Sequence, residues 1–144
     1  MDTTFLLPAL GIEVERDAME AIRFFHSLEV YYLEAGLLEA MWKVLKLVPR
    51  EKLGRVKIGV KAIRRTYRLL TPRAEALIEA ARIYHLGHRD YIDALHYAAA
   101  RAENMALLTI DRSFIEFLEQ HGYGVEGVVY TPETISRLLG AGPA

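Results

Sequence analysis

Aspartate is scarce in this chain, five residues against fourteen glutamates, so each one can be weighed by its place in the sequence. Asp111 directly follows the apolar run Ala106 to Ile110. That run reads as a β-strand, which brings the carboxylate out at the strand's carboxyl end, where α/β folds bind ligands. Asp93 falls in the first turn of the helix predicted from Arg89 to Ala100, whose alanine-rich face invites close packing. Glu39 lies about one and a half turns into the helix that follows Val30 to Leu33, still able to reach back over a sheet edge. Asp2 stands ahead of the apolar run Phe5-Leu6-Leu7. Carboxylates converging from separate elements repel one another unless cations sit between them, and hard oxygen donors select Mg²⁺ or Mn²⁺. Each position also has a structural reading. Asp90 is suited to N-cap its helix, with Asp93 as the acidic partner of that cap. Asp111 can cap the next helix, Glu39 can pair with Lys43 at i+4, and Glu34 reads as a solvated residue at a helix start.

The elements that must position these residues alternate along the chain. Val30-Tyr31-Tyr32-Leu33, Tyr67-Arg68-Leu69-Leu70, Ala106 to Ile110 and Val128-Val129-Tyr130 are short apolar segments, each followed by a helix-start signal. Thr71-Pro72 and Thr131-Pro132 each place a capping hydroxyl before a proline suited to the first helical position. Ser113 with Glu116, and Asp17 with Glu20, have capping-box spacing. Strands alternating with helices predict an α/β fold with a mostly parallel sheet covered on both faces. One domain is expected over residues 1–139, with 140–144 as a frayed Gly/Pro-containing tail.

Composition narrows the classes. A chain of 144 residues with 52% hydrophobic and 26% charged residues is neither disordered nor fibrous. Cysteine is absent, which excludes thiol nucleophiles, disulfide scaffolds and Cys-ligated metals. The apolar runs are far short of the ~20 residues of a membrane span, and no basic segment precedes an apolar signal, so a cytoplasmic protein is expected. Asn and Gln occur once each and Arg outnumbers Lys thirteen to five, a bias associated with heat-adapted proteins.

The segment Asp93-Ala94-Leu95-His96-Tyr97-Ala98-Ala99-Ala100, followed some residues later by Leu107-Leu108-Thr109-Ile110-Asp111-Arg112-Ser113-Phe114, resembles the second half of a PIN domain, especially those of VapC-type toxins. Asp2-Thr3-Thr4-Phe5-Leu6-Leu7 is similar to the family's opening aspartate with its following Ser or Thr, and Leu37-Leu38-Glu39-Ala40 resembles its helical glutamate. The resemblance implies a three-layer α/β/α fold with a central parallel sheet of four to five strands. It also implies a metal-dependent endoribonuclease, in which Asp2, Glu39, Asp93 and Asp111 hold Mg²⁺ or Mn²⁺ and carry catalysis. Thr4 would steady Asp2, with Thr109 and Ser113 as polar neighbours. Products would carry 5′-phosphate and 3′-hydroxyl ends, and the implied partners are an RNA substrate, a VapB-like antitoxin and a second copy in a homodimer. One departure is that only Met1 precedes Asp2, where family members have a short apolar strand. Either the natural start lies upstream or that strand is shortened, which would leave neighbouring backbone groups without ladder partners.

The near-zero formal charge of −1 hides an asymmetry, because residues 43–68 carry ten basic side chains and one acid, Glu51. Lys57, Lys61, Arg64 and Arg68 recur at helical spacing, with Arg65 beside them, although Gly54 and Gly59 weaken a continuous helix. Such a stripe suits RNA phosphates around an acidic site; a solvated face or a contact for an acidic partner are the alternatives. His85, His88 and His96 read as ordinary helix and surface histidines rather than metal ligands. Trp42 and Met41 are expected in the core, and the run Phe5 to Leu10 could extend into an interface with a subunit or antitoxin.

Three functions therefore compete. The first is the metal-dependent endoribonuclease, the toxin of a VapBC-type pair. The second is a catalytically weak PIN-like scaffold that binds RNA or a protein without cutting. The third, a phospho-acceptor or phosphoryl-transfer domain, needs a lysine after a late strand, and the chain has no lysine beyond Lys61.

Overall fold

The computed structural model describes residues 1–140. Four strands of two residues each alternate with seven α-helices in the order α1 (Arg16–Ile22), β1 (Tyr31–Tyr32), α2 (Glu34–Leu47), α3 (Leu53–Thr66), β2 (Arg68–Leu69), α4 (Ala74–His85), α5 (Tyr91–Ala102), β3 (Leu107–Leu108), α6 (Arg112–Gln120), β4 (Val129–Tyr130) and α7 (Pro132–Gly140). All four apolar segments singled out in the sequence contain a strand, and the α/β alternation holds.

The sheet is smaller than expected. Among the described residues, β1 pairs in parallel with β2 and β3 in parallel with β4, as two separate pairs rather than one sheet of four to five strands. The position between the pairs is held by the backbone of Met1 and Asp2. The Met1 amine donates to the Tyr31 carbonyl at 3.1 Å, and Asp2 N–H donates to the Leu108 carbonyl at 2.9 Å. The chain then turns into a short 3₁₀ helix at Thr3–Leu6, so among the described residues these two backbone bonds do not extend into a ladder between the pairs. Burial pushes the Met1 amine down to about 6, partly opposed by the Asp2 carboxylate.

Helices carry most of the core. Within the run Phe5 to Leu10, the side chains of Phe5, Leu6, Leu7 and Leu10 are buried inside the chain in two successive 3₁₀ turns, while Ala9 is exposed. Leu6, Leu7 and Leu10 pack with Tyr32, Leu37, Ala40, Val44, Val56 and Ile63. Here α3 passes so close that a Cβ on Gly59 would stand 1.9 Å from the Ala9 carbonyl oxygen. That contact explains a glycine in the middle of a helix that runs unbroken through Gly54 and Gly59. A second cluster joins α4, α5, β3 and α6 through Ala80, Ile83, Ala94, Ala98, Leu107, Phe114 and Leu118; the alanines of α5 meet α4 rather than a broad sheet.

Several local readings need correction. Trp42 is 63% exposed, because α2 turns Leu37, Ala40 and Val44 inward and position 42 falls on the opposite side. Helix α6 is capped by Asp111, not Ser113, since the Asp111 carboxylate accepts from Phe114 N–H at 3.0 Å. Helix α1 begins at Arg16 with Asp17 already in its first turn. Helix α4 begins at Ala74, leaving Thr71-Pro72 in the preceding loop. Thr131 does face Thr134 N–H at 3.4 Å at the start of α7. Gly140 ends that helix, and residues 141–144 of the expected frayed tail lie outside the described residues.

Candidate metal centre

Asp2, Glu39, Asp93 and Asp111, from four separate parts of the chain, line one open cavity of about 280 Å³ together with Thr3, Thr4, Lys43, Asp90 and Ile110. Asp2 is the most firmly held. Its Oδ2 accepts from the Thr109 hydroxyl at 2.6 Å and from Ile110 N–H at 3.3 Å, and its Oδ1 accepts from Thr4 N–H at 3.0 Å. The support expected of Thr4 thus comes from its backbone. Thr109, 1% exposed, also accepts from Asp111 N–H at 3.1 Å, so one buried hydroxyl ties the two aspartates to the end of β3.

The other carboxylates sit at helix starts. Asp90 N-caps α5 by accepting from Asp93 N–H at 3.1 Å, which leaves Asp93 in the first turn as expected. Asp111 caps α6 and also accepts from the Ser113 hydroxyl at 2.7 Å. Glu39, in α2, reaches the same space. The capping and site readings weighed from the sequence are therefore not alternatives for Asp90 and Asp111: a cap fixes a carboxylate at a helix N-terminus while leaving oxygens free for a ligand.

Electrostatic crowding is the property that marks this cavity. Burial, then the charges of Asp90, Asp111 and Asp2, push the Asp93 carboxyl up to about 8. Burial likewise raises Asp2, against the Thr109 hydrogen bond. It raises Glu39 too, with Asp90 and Asp2 adding to it and Lys43 opposing. Asp111 goes the other way: burial alone would raise it, but the Ser113 hydroxyl, Phe114 N–H, Asp93 and His88 together hold it below its ordinary value. Asp93 and Asp111 are thus shifted in opposite directions, the first up and the second down.

This donor set fits a divalent cation chemically. It is all hard oxygen, and the like-charge repulsion that raises Asp93 is what a cation would relieve. Among the described residues, however, no three acidic or histidine side chains already stand in an arrangement that could hold one ion. The carboxylates share a cavity without being preassembled.

The chain matches the family model of the PIN domain over residues 1–118. It is a PIN-domain protein. PIN domains are in general metal-dependent nucleases that act on RNA. No curated protein and no solved structure matches the chain.

The structure does not bring the basic residues into the cavity. Lys57, Lys61, Arg64 and Arg65 are exposed on α3, and Arg68 lies in β2, past the end of that helix. Arg64 pairs with Glu34 and Arg68 with Glu29 at 2.9 Å, so Lys57, Lys61 and Arg65 are the stripe's cations without such a pair among the described residues. Lys43 and Thr3 were not singled out for the site. Lys43 could have been found, because its i+4 spacing from Glu39 sets both on one helix face; Thr3 gave no signal beyond lying next to Asp2. Among the described residues no helix is long and apolar enough to cross a membrane.

Proposed function

We propose that this PIN-domain protein is an endoribonuclease in which Asp2, Glu39, Asp93 and Asp111, with Asp90 beside them, hold Mg²⁺ or Mn²⁺. The observation that carries this reading is the convergence of Asp2, Glu39, Asp90, Asp93 and Asp111 on one cavity, in which Lys43 is the one cationic side chain among the described lining residues and like charges raise the Asp93 carboxyl. When bound, the metal supplies Lewis-acid charge that makes water a better nucleophile and neutralises the phosphodiester under attack. The chain's own residues do the rest. Asp2 is immobilised by Thr109, Ile110 and Thr4, Asp111 by Ser113 and Phe114, and Lys43 lines the same acidic cavity, where its ammonium would attract a phosphate. Lys57, Lys61 and Arg65 of α3 would hold more distant phosphates of the strand. The biological reading that goes with this is the toxin of a VapBC-type pair, acting as a homodimer silenced by a VapB-like antitoxin.

Incubating a single-stranded RNA with the protein and Mn²⁺ tests the activity. Cleavage to 5′-phosphate ends that stops with EDTA and with Asp93→Asn is expected; equal cleavage by the variant would overturn it. The second reading, a scaffold that binds RNA without cutting, is favoured by the absence of a preassembled three-ligand arrangement among the described residues. Retained RNA binding with no Mn²⁺-dependent cleavage would select it.

A further inference from the structure

His88 is the one aromatic nitrogen base in direct contact with the acidic cluster among the described residues. Its Nε2 lies 3.3 Å from Asp93 Oδ2, with both side chains largely buried. The imidazole ring is seated on Phe114, with centroids 4.4 Å apart and planes 31° apart, and against Phe117 at 5.3 Å. The loop that delivers it turns at Gly87, whose φ of +126° is a conformation that side-chain-bearing residues rarely adopt. The residue is therefore held by ring packing on one side and by a carboxylate on the other.

The ring also links two parts of the site. Phe114 belongs to the first turn of α6, and its N–H caps onto Asp111, while Asp93 belongs to the first turn of α5. His88 thus bridges the first turn of α6, through Phe114, and the first turn of α5, through Asp93. An ionised carboxylate has only acceptors, so when Asp93 is ionised the proton of this contact comes from His88 Nε2. With Oδ2 engaged in that way, the Asp93 rotamer is restricted and Oδ1 is left for another partner.

We propose that His88 is a positioning residue for the metal centre, donating through Nε2 to Asp93 and fixing that carboxylate for a divalent cation. It does not itself ligate. The inference rests on the proposed metal site, and partners that orient a ligand in this way typically matter for metal affinity about 10- to 100-fold.

Titration of the protein with Mn²⁺ alone, followed by the electron paramagnetic resonance signal of the free ion, tests this without any activity measurement. His88→Leu, which fills the space on Phe114 but cannot donate, is expected to weaken Mn²⁺ binding about 10- to 100-fold. His88→Gln, whose side-chain amide can reach as a donor, is expected to stay within about threefold of the original protein. Unchanged affinity in His88→Leu overturns the inference. So does His88→Gln weakened as much as the leucine variant, since the ring's packing and not its N–H would then matter. Should the leucine variant fail to fold, the glutamine variant decides alone: near-normal affinity supports the role and lost affinity overturns it. Absence of Mn²⁺ binding by the unaltered protein overturns the parent reading, an outcome distinct from a difference between variants.

Discussion

Replacing Asp93 by Asn should stabilise the metal-free protein, and more so as pH rises. Asn has nearly the shape of the protonated acid without the ability to ionise. A carboxyl whose folded pKa is raised binds its proton more tightly in the folded state, so its contribution is fully present below the unfolded value of about 4 and is lost as pH climbs towards 8. Each pH unit in that window corresponds to about 1.4 kcal/mol, or about 4 kcal/mol between pH 5 and 8. Because Asp93 keeps some contact with solvent, we halve this for screening and expect about 2 kcal/mol, equivalent to roughly 4–8 °C in melting temperature for a domain of this size. Two other groups act oppositely. His96, lowered by burial to about 4, and the Met1 amine, lowered to about 6, each make stability rise with pH between the folded and unfolded values. Both are common to the two proteins, so the difference between the melting curves isolates Asp93. Thermal unfolding by circular dichroism from pH 5 to 8 in EDTA is the assay, repeated with Mn²⁺, which should stabilise the unaltered protein more than the variant. A melting difference that does not grow with pH, or a variant less stable at pH 8 in EDTA, would refute the electrostatic account of the cavity.

Other expectations are independent of that result. Reversing Lys57 and Lys61 to Glu should weaken RNA binding and lower the slope of log affinity against log salt by about two, as filter binding across salt concentrations would measure; an unchanged slope assigns the α3 stripe to another role. Thr109→Val removes the donor to Asp2 and the acceptor for Asp111 N–H, and should weaken Mn²⁺ binding by about tenfold in calorimetry. Gly59→Ala forces a methyl group against the Ala9 carbonyl and should cost about 1–3 kcal/mol or more in urea unfolding. Trp42, the sole tryptophan and well exposed, should emit at the long wavelength of a solvated indole and be readily quenched by iodide.

Much of the site was legible because it rests on local chemistry. Asp90 and Asp111 are short acids immediately ahead of amphipathic helices, a pattern that fixes a cap and hence a carboxylate direction before any long-range contact forms. The strand segments were equally visible as short apolar runs, each followed by a helix-start signal. The sheet was not, since two pairs and one continuous sheet require the same strands and differ only in what lies between Tyr31 and Leu108, a distance in sequence that periodicity cannot span. Trp42 is exposed for a related reason: hydrophobicity says that a side chain favours burial, but the inward side of α2 is taken by Leu37, Ala40 and Val44.

By itself, then, the sequence determined the order of strands and helices, the absence of thiol chemistry, the caps made by Asp90 and Asp111 and the identity of the acids, all properties of residue type and near-neighbour spacing. The tertiary structure alone decided that Asp2, Glu39, Asp93 and Asp111 share one cavity, that Thr109 ties the start of the chain to the end of β3, and that His88 meets Asp93 across the seat formed by Phe114 and Phe117. Those contacts join residues up to 107 positions apart. Their energies exist only once burial has stripped water from the groups, and no local pattern can encode which carboxylates that burial will crowd together.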